Sequence, residues 1–274
     1  MGKGHSLHIG LNSVDPDYYD GWIGALRACE ADAASMQKIC ASQGFQTEQL
    51  LTKEATREAV LGRLENFADT LVAGDTLVIS YSGHGGQLPD GNDDEDDGLD
   101  ETWCLYDGEL LDDELYRAWA GFAEGVRIIL FSDSCHSGTV SREPLYVLRG
   151  SAGEDLVPAA GGSRAMPLEI QYRTYEANRV FYDGLLAKEA PPQNPACTVL
   201  LISGCQDNQL SIDGAFNGAF TGALIRTWAN GKFKANYAEF TKAVRKRLPA
   251  TQSPQYSRIG AENADFESRS VFTL

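Results

Sequence analysis

Hydrophobic positions along the chain switch repeatedly between a strand-like and a helix-like pattern. SLHIGLN reads as a first strand. A Tyr/Gly-rich loop leads from it to a helical stretch between Leu26 and Ser42, stopped by Gly44. A short strand follows around Phe45 to Leu51. ATREAVLGRLENFADTLVAG then puts Val60, Leu64, Phe67 and Leu71 on one stripe, which predicts an amphipathic helix. DTLVISY is a buried strand running into SGHGG, and DDELYRAWAGF is the next helix. VRIILFS is the most apolar strand and ends in DSCHSG. CTVLLIS precedes SGCQDNQ, the helices NGAFTGALIRTWANG and NYAEFTKAVRKRL follow, and SRSVFTL is the expected last edge strand.

Buried apolar strands separated by helices predict an α/β fold: a mostly parallel central sheet with helices on both faces. In such sheets ligands bind beyond the carboxyl ends of the strands. SGHGG, DSCHSG and SGCQDNQ each follow a strand, so all three are expected at one edge. From Arg142 to about Pro195 the periodicity fades while Gly and Pro accumulate, which reads as a mobile or processed linker. A length of 274 residues accommodates one large α/β domain or two small ones.

Charge narrows the partners. The net charge is −16, which excludes a nucleic-acid partner and suits a cationic substrate or a metal cation. Eight of the twelve residues from Asp90 to Glu101 are acidic and none is basic. No apolar run approaches the ~20 residues of a membrane span, and the opening MGKGHSLHIGLN has no apolar leader. A cytoplasmic protein without a membrane partner is expected. The six cysteines (29, 40, 104, 135, 197 and 205) form no CxxC pair, so most are expected to be small buried hydrophobes in a reducing cytosol.

Cys135 is the exception, because Ser-Cys-His-Ser-Gly is too polar and tight for a core and suits an exposed turn. A thiol with pKa near 8.5 is only a few per cent thiolate at neutral pH, so a nearby imidazole is its usual activator. The chain has four histidines. His136 adjoins the cysteine and points the other way, while His5 and His8 lie early in the first strand, away from the catalytic edge. His84 remains as the base, flanked by Gly83, Gly85 and Gly86, which let a substrate backbone come close. The N–H groups of Gly85 and Cys135 are the expected oxyanion donors. No Asp or Asn is assigned to orient His84, so the pair reads as a dyad.

YSGHGG followed by DSCHSG, with His84 and Cys135 51 residues apart, resembles the caspase-like peptidases, whose own separation is about 50. DSCHSG in particular is similar to the metacaspases and their bacterial relatives, the orthocaspases, and QAC[RQG]G of animal caspases is absent. ACEAD, DGLDE, LDDELY, SGCQDNQ and SPQYS extend the likeness over most of the chain. The resemblance implies a caspase-like three-layer sandwich in one domain: a large-subunit-like half (1–141), a linker (142–195) and a small-subunit-like half (196–274). It implies a monomer that cleaves peptides or proteins after Arg or Lys, with Asp32 and Asp133 as the carboxylates of an acidic S1 pocket and Cys29 and Ser82 completing its lining. It implies calcium activation as well, through Asp100, Asp112 and Asp113. The fourth ligand position falls at Arg142, beside Glu143, where family members carry a carboxylate. Self-processing in the linker would use one of Arg142, Arg149, Arg164, Arg173, Arg179 or Lys188, and the sequence does not rank them. The competing reading is a catalytically quiet caspase-like interaction module.

Overall fold

A computed structural model describes residues 2–89, 99–134, 163–188, 194–205, 213–214 and 216–274. Its centre is a six-stranded sheet in the order β2-β1-β3-β7-β8-β9. The strands are β1 (Gly4–Gly10), β2 (Gln46–Leu51), β3 (Thr76–Ser82), β7 (Arg127–Asp133), β8 (Thr198–Ser203) and β9 (Gln255–Gly260). All neighbours pair parallel except β8 and β9. Every residue of β3 and β7 is buried, as their unbroken apolar runs require of strands covered on both faces.

Successive side chains alternate between two cores. Leu77, Ile79, Ile128 and Leu130 face one core with Val60, Leu64 and Phe67 of α2 (Arg57–Thr70) and Leu115 and Trp119 of α3 (Asp112–Ala120). Val78, Ile129 and Phe131 face the other. That second core is closed by α1 (Cys29–Ser42), α6 (Ala219–Trp228), α7 (Tyr237–Arg245) and α8 (Ala264–Ser268).

Three features depart from the sequence reading. A second, antiparallel sheet of β4 (Gly85–Pro89), β5 (Leu99–Leu105) and β6 (Gly108–Leu111) follows directly on the carboxyl end of β3. Part of the expected linker is helical, as α4 (Leu168–Ala177) and α5 (Arg179–Leu186), and α5 packs Tyr182 and Leu185 against Leu88 and Leu111 with Tyr175 of α4 at the margin. SRSVFTL is not a strand. β9 already pairs with β8, and the tail buries Val271 and Phe272 in the second core.

Phe272 is fully buried against Phe131, Trp228, Tyr237 and Phe240. Phe272→Ala is expected to cost about 3–5 kcal/mol of folding stability, read from urea denaturation. A loss within ~1 kcal/mol would show that the tail does not seal this core.

Candidate active site

The site forms where the parallel strands end, beside the point at which chain order reverses around β1. The β3–β7 register sets Ser82 opposite Asp133. Asp32 reaches the same place from the first turn of α1, where its charge also faces the positive end of the helix dipole. Its Oδ1 accepts from Asn217 Nδ2 at 2.8 Å and from the Gly218 N–H at 3.0 Å, and its Oδ2 from Ser82 Oγ at 2.8 Å. Thr221 Oγ1 donates to Asp133 Oδ2 at 3.1 Å. Asp32, Ser82, Asp133 and Cys29 are all buried. Burial pushes the Cys29 thiol up to about 12, so it lines the pocket as a neutral group.

Carboxylates held this deep require a cation, and the cation is Arg164. Its side chain is completely buried. Nη2 lies 2.7 Å from Asp32 Oδ2 and 3.2 Å from Asp213 Oδ1, and Nη1 lies 2.7 Å from Asp133 Oδ2 and 2.8 Å from Ser82 Oγ. Burial alone would lower the arginine pKa, but Asp133 and Asp32 carry it well above the usual value. Burial, and then the neighbouring Asp133, hold the Asp32 carboxyl above its usual range even with the arginine beside it. Asp213 is the site residue that sequence reasoning missed. It accepts from the Arg27 and Ala28 N–H groups at 2.8 and 3.1 Å, fixing the loop before α1. Its only trace in the sequence is a carboxylate eight residues beyond the cysteine of SGCQDNQ.

His84 stands two residues past Ser82. Its carbonyl accepts from the Cys104 N–H at 2.9 Å and from the Tyr81 hydroxyl at 2.6 Å, and Tyr81 stacks on Trp103 with centroids 4.3 Å apart. The Nε2–H donates to the Gly24 carbonyl at 3.1 Å. A carbonyl only accepts, so in the neutral ring Nε2 carries the proton and Nδ1 keeps its lone pair. Nδ1 has no hydrogen-bond partner among the described residues. The orienting group absent from the sequence reading is therefore the Gly24 carbonyl. Gly24 has φ +51°, and a Cβ there would press on His84 and Trp22 at 3.1–3.2 Å.

Gly85 donates its N–H to the Arg164 carbonyl at 2.9 Å, and its own carbonyl accepts from the Met166 N–H at 2.8 Å. Ala165 thereby bridges to Gly85 as a one-residue parallel strand, with its main chain beside the His84 ring. The arrangement presents a buried arginine, its carbonyl on a backbone donor and the following peptide beside an unprotonated imidazole. A thiolate reaching that carbonyl carbon would have everything acyl transfer needs.

Of the residues singled out from sequence, Asp32, Asp133, Ser82, Cys29, His84 and Gly85 come together here. Cys135 and Glu143 lie outside the described residues. Ser134, the neighbour of Cys135, is buried, and its Oγ is 3.1 Å from Ser132 Oγ. Asp100 is buried in β5, while Asp112 and Asp113 open α3. Burial, and then the charges of Asp100, Glu101 and Asp113, push Asp112 up to about 8. Asp113 pairs with Arg117 at 2.9 Å. Among the described residues no three His, Cys, Asp or Glu side chains form a set that could hold a metal ion. No helix among them is long and apolar enough to cross a membrane.

Residues 14–264 match the family model of the caspase domain. The chain is similar to metacaspase-1 of Cryptococcus neoformans var. neoformans serotype D, 29% identical over 93% of this chain and 62% of that protein. It is also similar to metacaspase-1 of Mycosarcoma maydis, 29% identical over 94% of this chain and 70% of that one. It thus spans less than two thirds of the first relative's length. A crystal structure of a Geobacter sulfurreducens protein is 50% identical, with TM-score 0.87 over 99% of both chains. Caspase-1 from Spodoptera frugiperda is 10% identical and shares the fold, with TM-score 0.55 over 94% of this chain and 86% of that one.

Burial lowers His84 to about 4 and His8 to about 3. Both folded values lie below the unfolded value near 6.5, so the unfolded chain takes up these protons first. The contribution of these two rings to folding stability is expected to fall as pH drops from 6.5 toward 4. In an NMR titration the ring signals of both residues should stay fixed between pH 8 and 5.5. A His84 midpoint near 6.5 would mean that the ring is solvated.

Proposed function

Because this chain belongs to the caspase domain family, we propose that it is a cysteine endopeptidase that cuts after arginine and, more weakly, after lysine. One observation carries the reading: Arg164 sits where a substrate's P1 arginine would sit, with its guanidinium among three carboxylates and its carbonyl on the Gly85 N–H. The planar fork supplies Nη1 and Nη2 to separate oxygens, which a single lysine ammonium does not match. A P1 aspartate would meet like charge at a cost of several kcal/mol.

In the proposed reaction Cys135 gives its proton to His84 and the thiolate attacks the P1 carbonyl carbon. Gly85 stabilises the oxyanion, the C–N bond breaks, and His84 returns the proton to the leaving amine. Water then hydrolyses the thioester. No step is routed through calcium; of the carboxylates expected to hold it, Asp100, Asp112 and Asp113 are described and Glu143 lies outside the described residues. Since the pocket is filled by the chain itself, the reading includes self-processing between Arg164 and Ala165. Of the basic residues between 142 and 188, Arg164 is the one that the described geometry supports.

The test combines self-processing with a peptide panel. Wild type should cut itself between Arg164 and Ala165, seen by mass spectrometry, and should prefer P1 Arg over Lys while sparing Asp. Cys135→Ala should do neither. Equal turnover by wild type and Cys135→Ala would overturn the peptidase reading in favour of a quiet interaction module. Processing elsewhere with the Arg164–Ala165 bond intact would overturn the assignment of Arg164. Arg164→Ala leaves Asp32, Asp133 and Asp213 without their cation and is expected to lose about 3–5 kcal/mol in urea denaturation, partly regained with free arginine.

A further inference from the structure

Burial alternates along the segment that enters the pocket. Ser163 is exposed, Arg164 buried, Ala165 half-buried, Met166 buried and Pro167 exposed. Two side chains are therefore inserted into the protein, one on each side of the Arg164–Ala165 bond. The second, Met166, is 1% exposed and packs with Val14, Tyr19 and Cys104, with Tyr18, Trp22 and Ile170 partly buried at the margin. Its main chain is fixed by the 2.8 Å bond from its N–H to the Gly85 carbonyl. Gly85 thus holds both residues: its N–H takes the arginine carbonyl and its carbonyl takes the N–H two residues on.

Room for the methionine comes from Gly86. A Cβ on Gly86 would lie 2.8 Å from Met166 Cε, 2.6 Å from Glu109 Oε2 and 2.9 Å from Thr102 Oγ1. The carboxylate does not yield readily, because Glu109 is fully buried and accepts from Thr102 Oγ1 at 2.6 Å. The walls belong to the loop after β1, to β4 and to β5. Among the described residues the helical segment that carries Met166 contributes only the half-buried Ile170 at the margin, so the buried walls stay in place when another chain occupies the site.

We propose that this cavity is a primed-side subsite that selects an apolar residue unbranched at Cβ, methionine or leucine, at P2′ of substrates. The proposal rests on reading Arg164–Ala165 as the scissile bond. An extended substrate bound as this segment is bound places its P1 carbonyl and its P2′ N–H on the two polar groups of Gly85, and its P2′ side chain among Val14, Tyr19 and Cys104. An acidic P2′ residue would be desolvated there beside the buried Glu109 carboxyl, with no cation among the described wall residues to pair it. A glycine would leave the apolar walls uncovered.

Quenched-fluorescence peptides that share one P1 arginine and P1′ alanine, and differ only at P2′ (Met, Leu, Gly, Asp), test it on the self-processed wild-type enzyme. Residual occupancy by the protein's own segment lowers every peptide's kcat/KM by one factor and leaves the ratios intact. Met and Leu should exceed Gly and Asp by about tenfold or more. Cleavage of all four within threefold overturns the subsite and leaves the arginine specificity standing. Failure to cut any of them after arginine overturns the reading beneath it. Within the full chain, Met166→Asp should slow self-processing about tenfold relative to Met166→Leu, and equal rates would count against the subsite.

Discussion

The structure turns on one desolvated cation. Arg164 is completely buried, and a guanidinium out of water is tolerated only where its donors meet charge and hydrogen-bond acceptors together. Asp32 comes from a helix, Asp133 and Ser82 from the ends of adjacent strands, and Asp213 from beyond β8. Each carboxylate is in turn held by its own donors. Asn217 and Gly218 hold Asp32, Thr221 holds Asp133, and the Arg27 and Ala28 N–H groups hold Asp213. Placing three like charges within reach of one another is unfavourable until a cation arrives. The pocket is therefore built to be filled, and the chain fills it.

The same constraint reaches the chemistry through five consecutive residues. Ser82 contributes its hydroxyl to the pocket, Gly83 leads to the imidazole of His84, Gly85 offers a donor and an acceptor, and Gly86 makes room for Met166. Such a segment has almost no side chains with which to hold itself. Its position comes from outside: the β3–β7 register before it, the Tyr81–Trp103 stack beneath it, and pairing with β5 after it. The small antiparallel sheet therefore serves as the backing of the candidate site. Filling the pocket also acts on His84: burial is the main cause of its low pKa, and the Arg164 charge adds to it.

The alternation of long apolar strands and amphipathic helices made the main sheet and its helices legible, because burial on both faces leaves unbroken runs such as VRIILFS. The second sheet was not. GGQLP and GELL are short and glycine-bearing, and LDETWCL adjoins an acidic run that hides any period of two. α4 and α5 were hidden as well: Leu168, Tyr172, Val180 and Phe181 are exposed, so apolar residues surround these helices and obscure the inward pair Tyr182 and Leu185. SRSVFTL looked like a strand because it is apolar and terminal, yet the sheet edge was already taken by QYSRIG, whose polar outer face concealed it. In the site, side chains inside recognisable motifs were legible: His84, Asp32, Asp133, Ser82 and Cys29. Gly24 acts through a carbonyl that every residue possesses. Arg164 could be named among six basic residues, but choosing it required knowing which one is buried.

Cutting a bond and emptying a pocket are different events. Before cleavage, Arg164 and Met166 hold each other in place, since each raises the effective concentration of the other at its own cavity. In the proposed self-processing, cleavage between Arg164 and Ala165 would remove that coupling without weakening either contact. The arginine end keeps its carboxylates but gains a C-terminal negative charge close to them. The other end keeps Met166 in an apolar cavity, tethered through α4. Release of the arginine end is thus favoured by a repulsion that cleavage itself creates, whereas release of the methionine end has no such drive. Once the chain is cut, the two sides of the cleft therefore need not open together, and substrate must compete for each on separate terms.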